Sequence, residues 1–271
     1  MTRLKYGLIG LLVLLGLALL LSLNKPSNPE TRVHDVVEIT ERTDSNVIDT
    51  AKYNLHKLGT GNYTIDLHQV HNDRTFLLSL HKAAKSDSAR EANLKRAGEL
   101  VEATLVNKVF HYWYGTPWDF NGHTNTPNKG NVACGYFVST TLKHIGLQVN
   151  RYTLAQQNPQ NEALSLSCGD TIFKFQYVAA MNVVDSLSAF TPGLYFVGLS
   201  SHVGFVLVRK QTVFFIHSNY VGDGGVAIEL AKYSDAFLSS RSFKLARISH
   251  NPKLINKWIH SEEVSVVTSS D

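Results

Sequence analysis

An uncharged run of 18 residues, Tyr6 to Leu23, constrains this chain before anything else does. As a helix it would be about 27 Å long, close to the hydrocarbon thickness of a bilayer. It is apolar on every face, so it does not read as one side of a soluble bundle. Arg3 and Lys5 precede it, and Asn24, Lys25 and Pro26 end it. The basic flank is expected in the cytoplasm, with residues after about 25 outside. Leu21, Ser22 and Leu23 make a poor cleavage site, which favours an uncleaved anchor over a cleaved signal segment. No cysteine follows, which excludes a lipoprotein anchor.

The rest of the 271 residues must build their own core, and 44% apolar content suffices for one domain of ordinary size. With 18% charged residues the chain is not a disordered polyelectrolyte. A net charge of +4 is compatible with an anionic envelope, but it is too small and scattered to argue for nucleic acid. The two cysteines, Cys134 and Cys168, are too few for a disulfide scaffold. A single Cys134–Cys168 bridge stays open if the domain is exported. No paired ligand spacing supports a zinc site, so no metal or other cofactor is expected.

Residues 1–25 read as the membrane anchor or signal segment, and 26–85 as a linker and N-terminal extension. Residues 86–250 read as one α+β domain and 251–271 as a C-terminal tail. Ser86 or Asp87 can cap a helix running to Tyr112, because Leu94, Ala97, Leu100, Val101, Leu105 and Val109 recur at helical spacing. A loop marked by Gly115, Pro117 and Gly122 leads to Cys134. Phe137, Thr141, Leu142 and Ile145 then resume helical spacing, and Gly146 can end that helix. Short Val-, Phe- and Ile-rich runs follow at 194–197, 202–208 and 213–218, with weaker ones at 226–230 and 243–248. Helices first and hairpin-linked strands afterwards predict an antiparallel sheet.

Cys134 is thus expected at a helix N-terminus, where free N–H groups and the dipole favour a thiolate. A thiol hydrolase also needs an imidazole for the proton and a polar group to orient it. His202 opens a predicted strand. If Lys210 and Gln211 form a two-residue turn, His202 faces Asn219, and His217 is its diagonal neighbour on the same sheet face. Both are then within reach of His202. A one-residue slip would move them to the other face.

Tyr114-Gly115-Thr116-Pro117-Trp118-Asp119-Phe120-Asn121-Gly122 resembles the G-T-P-Y-x-W-G-G segment of NlpC-like cell-wall cysteine peptidases. Ala133-Cys134-Gly135-Tyr136-Phe137-Val138 resembles their D-C-S-G-F-V nucleophile motif. Pro192-Gly193-Leu194-Tyr195-Phe196 resembles P-G-D-L-V-F-F, His202-Val203-Gly204-Phe205-Val206 is similar to H-V-G-I-Y, and Ile216-His217-Ser218 to I-H-A. The strings occur in family order.

The resemblance implies a compact papain-like fold, with the nucleophile's helix packed on an antiparallel sheet. It implies Cys134 as nucleophile, His202 as base and His217 as the orienting residue. Trp118 would take the place of a Tyr beside the nucleophile. The implied activity is hydrolysis of amide bonds in peptidoglycan stem peptides, in a bacterial envelope protein whose catalytic domain is periplasmic or exported. Ala133 and Gly135 depart from the family's Asp and Ser, so the substrate follows less directly than the chemistry. Two other expectations use the same fold: an amidase or acyltransferase on a lipid or small conjugate, and a non-catalytic envelope binding module.

Overall fold

The computed structural model describes residues 61–222 and 224–268. The anchor expected at 6–23 lies outside them. Among the described residues, no helix is long and apolar enough to cross a membrane.

Helix α1 (Tyr63–Ala83) starts where the Asn62 side chain accepts hydrogen bonds from the Thr64 and Ile65 N–H groups. Helix α2 (Asp87–Thr104) is capped by Ser86 through the Ala89 N–H. It continues through a π-helical turn, Leu105–Val109, into α3 (Phe110–Trp113). The helix expected over 86–112 is therefore present, with a π-bulge near its end. That bulge rotates the last turn so that Phe110 and Trp113 are both fully buried.

After a long loop come α4 (Cys134–His144), α5 (Arg151–Ala155) and α6 (Pro159–Ser167). The remaining strands and α-helices are β1 (Ile172–Gln176), α7 (Ala180–Ser188), β2 (Gly193–Gly198), β3 (Val203–Arg209), β4 (Thr212–Asn219), β5 (Gly225–Leu230), α8 (Asp235–Leu238), β6 (Ser242–Arg247) and α9 (Pro252–His260).

The strands form one antiparallel sheet in the order β1-β6-β2-β3-β4-β5. Lys210 and Gln211, at φ 47° and 63°, make the two-residue turn between β3 and β4. Two positive φ angles give a turn whose twist matches the flanking strands. Arg209 pairs with Thr212 and Phe205 with Ile216, which is the expected register. All five expected strands are present. β1 joins them at the edge beside β6.

Both sheet faces are covered. Leu194, Phe196, Phe205, Leu207, Ile216 and Ile248 pack against Phe110, Trp113, Phe137, Leu142 and Trp258. On the other face, Tyr195, Val197, Val206, Phe215 and Leu245 pack against Val183, Leu187 and Phe237. Double coverage explains why β2 is buried at every position instead of alternating. Each large side chain so enclosed contributes about 1.5–3 kcal/mol of transfer free energy.

The segments read as extension and tail both enter this core. Val70 and Leu77 of α1 and Leu254, Ile255, Trp258 and Ile259 of α9 belong to the first cluster. They also hold the C-terminal end of α4. Arg74 Nη1 donates to the Gly146 carbonyl at 3.0 Å and Trp258 Nε1 to the Ile145 carbonyl at 2.8 Å. Gly146, at φ 97°, leaves room for that guanidinium, since a Cβ would lie 2.8 Å from Arg74 Nη1.

Candidate active site

Cys134 is the first residue of α4, after Ala133, whose side chain makes no cap hydrogen bond. The preceding loop is stitched to the sheet. Gly115 N–H donates to the Val226 carbonyl and Val226 N–H to the Thr116 carbonyl, both at 2.9 Å. Ser218 Oγ donates to the Val132 carbonyl at 2.7 Å. These bonds anchor the start of α4 to β4 and β5. The far side of that start is crowded by α5. A Cβ at Gly135 would lie 2.5 Å from the Ala155 carbonyl oxygen, so this position admits no side chain.

The thiol is half-buried, and the backbone N–H groups of Val203, Gly135 and Cys134 itself favour its ionised form. Burial outweighs them and pushes the thiol up to about 11, and any charge on the nearby Glu162 carboxyl would push it the same way. The helix start therefore does not produce a resting thiolate, contrary to the expectation from sequence position. Desolvation in a packed site exceeds the stabilisation available from the N–H groups. Cys168 closes α6 in the left-handed conformation, at φ 49°. Both cysteines are free thiols, so the Cys134–Cys168 bridge that was left open is not formed.

His202 lies just before β3, where its carbonyl accepts from the Leu199 N–H at 2.8 Å. Its imidazole is 3% exposed. Its Nε2 is 2.8 Å from His217 Nδ1, with the rings nearly perpendicular at 84°. His217 is fully buried and stacks on Phe215 at 4.0 Å. Its Nε2 is 3.3 Å from Glu229 Oε2.

The donors can be assigned from this chain. An ionised Glu229 only accepts, so His217 Nε2 carries the proton. His217 Nδ1 then accepts, so His202 Nε2 carries its proton. His202 Nδ1 is left with a lone pair. Burial alone would push the Glu229 carboxyl up, but hydrogen bonds from His217 and Ser234 hold it below the usual carboxylate value. Burial pushes both imidazoles down, His202 well below its ordinary value with His217 adding to the effect.

The structure thus joins His217, not Asn219, to His202. Asn219 Nδ2 instead donates to Glu229 Oε1 at 3.3 Å. Trp118 packs on Tyr220 at 6.1 Å, and Tyr220 covers the His202 ring at 5.0 Å. Cys134 reaches only the backbone beside this group, through the Val203 amide at the start of β3, next to His202. Among the described residues, no hydrogen bond joins its sulfur to either imidazole.

Sequence reasoning missed Glu229, Tyr220 and Glu162. Glu229 carried a signal, as a lone acid in the apolar run Val226–Leu230. With His217 opposite Ala227, Glu229 falls on the same sheet face as His217.

No protein-family model, curated protein or solved structure matches this chain.

Proposed function

We propose that this chain is a papain-like thiol hydrolase of the bacterial cell envelope, attached through residues 6–23 and acting on amide bonds in peptidoglycan stem peptides. One observation carries the chemistry. The chain His202–His217–Glu229 orients an imidazole with a free Nδ1, and Cys134 opens a helix beside the next residue, Val203. The ordered motifs around Cys134, His202 and His217 support the substrate class.

The reaction starts from a neutral thiol and a neutral imidazole. As the Cys134 sulfur attacks the amide carbonyl, its proton passes to His202 Nδ1. The imidazolium is stabilised through His217 by the Glu229 carboxylate. The N–H groups at the start of α4 face the oxygen anion of the tetrahedral intermediate. The C–N bond then breaks and the leaving amine takes the proton from His202 Nδ1. Water, deprotonated by the same nitrogen, attacks the thioester and frees the acid and the thiol.

Digestion of purified peptidoglycan by the full chain, read by mass spectrometry, tests this reading. New amino and carboxyl ends within stem peptides are expected, and Cys134→Ala should yield none. An inactive wild-type chain, or identical fragments from Cys134→Ala, would overturn it.

A further inference from the structure

The helix pair after α4 places a second ionisable group at the Cys134 site. The end of α5 presses on the start of α4 at Gly135. The start of α6 presses on the end of β2, where a Cβ at Gly198 would lie 2.7 Å from both Cβ and the carbonyl oxygen of Pro159. The segment from Ala155 to Glu162 therefore bridges Cys134's helix and the strand end that turns back toward His202. Glu162, on the first turn of α6, is 2% exposed. It is near enough to Cys134 for its charge to oppose a thiolate. Its Oε2 is buried with no hydrogen-bond partner among the described residues.

A buried carboxyl oxygen left without a hydrogen-bond partner is destabilising. No structural partner offsets that cost, and none of the steps above uses the group. We propose that the Glu162 carboxyl is a further catalytic residue, donating its O–H to the oxygen anion that forms when Cys134 attacks a carbonyl.

Burial holds Glu162 protonated, well above the usual carboxylate value, so it has a proton to donate. An ionised Glu162 would repel the same anion. A neutral acid in an apolar site is a strong hydrogen-bond donor to a developing negative charge. The transition state supplies the missing partner, so the ground-state cost becomes selective stabilisation of that state. The inference rests on the thiol-hydrolase reading above.

The test uses the full chain with p-nitrophenyl acetate as the acyl probe and iodoacetamide as a control. Alkylation by iodoacetamide needs the thiol but forms no oxyanion. Glu162→Leu should lower the acylation rate about 10²–10³-fold, the usual cost of losing one oxyanion donor. Glu162→Gln, whose amide still donates, should recover much of that loss. Alkylation of Cys134 at the same pH should not slow in either variant. Unchanged acylation in Glu162→Leu would overturn the inference, as would equal losses of acylation and alkylation. A wild-type chain that neither acylates nor alkylates at Cys134 would instead overturn the thiol-hydrolase reading.

Discussion

His202 Nε2 and His217 Nδ1 lie 2.8 Å apart, on a sheet face where both rings are almost fully buried. The two residues are 15 apart in sequence and joined by a two-residue turn with both φ angles positive. That hydrogen bond, with Glu229 behind it, decides which nitrogen of His202 can take a proton.

His217→Ala should therefore lower turnover about 10³-fold, by releasing the imidazole from its tautomer and orientation. Asn219→Ala should cost less than about tenfold, because its side chain touches Glu229 and not His202. Steady-state hydrolysis of the two purified variants checks this. Equal losses would contradict the assignment.

The same chain sets the acid sensitivity of the fold. His202 and His217 bind protons less readily folded than unfolded. Their contribution is full above the ordinary imidazole value of 6.5 and is lost as pH falls below it. The slope approaches about 1.4 kcal/mol per pH unit for each extra proton bound by the unfolded chain. Glu229, held below 4.5, contributes stability above that value that is lost as pH falls through its lower folded value. Urea unfolding at a series of pH values should show two successive losses. His217→Phe should weaken the upper one and reduce the depression of Glu229, which Ser234 still supports in part.

The resting state also makes a statement about Cys134. With burial holding the thiol near 11, iodoacetamide should alkylate it slowly at neutral pH and faster as pH rises above 9. A rate that levels off below about 8.5 would mean a preformed thiolate.

Gly135→Ser should destabilise the fold. Its Cβ would meet the Ala155 carbonyl oxygen at 2.5 Å, and that neighbour is backbone. Overpacking of this kind costs about 1–3 kcal/mol. Thermal unfolding should show a lower midpoint than wild type. An unchanged midpoint would mean that α5 is free to move.

Much of the β3–β4 relationship is legible in the sequence, because strand periodicity and a short turn leave only one register. Lys210 and Gln211 sit between two apolar runs, and parity then puts His202, His217 and Asn219 on one face. Parity does not choose between His217 and Asn219, because side-chain reach decides that. Helix α1 is hard to read because its buried face is sparse, with Val70 and Leu77 interrupted by the buried Arg74. β1 is an edge strand that is nowhere fully buried, so its apolar signal is weak. Helix α9 did carry a pattern, Leu254, Ile255, Trp258 and Ile259, at the spacing of one buried face. Glu162 and the crowding of Gly135 by Ala155 depend on how α5 and α6 fold back over α4, which no local pattern encodes.

In the proposed mechanism Cys134, not Cys168, forms the acyl intermediate. The most direct measurement is acid quenching of the full chain during turnover of p-nitrophenyl acetate, followed by peptide mass spectrometry. The acetyl thioester should fall on the peptide containing Cys134, persist in Cys168→Ala and vanish in Cys134→Ala together with catalysed hydrolysis. A thioester on Cys168, or catalysed hydrolysis that survives in Cys134→Ala, would contradict Cys134 as the nucleophile.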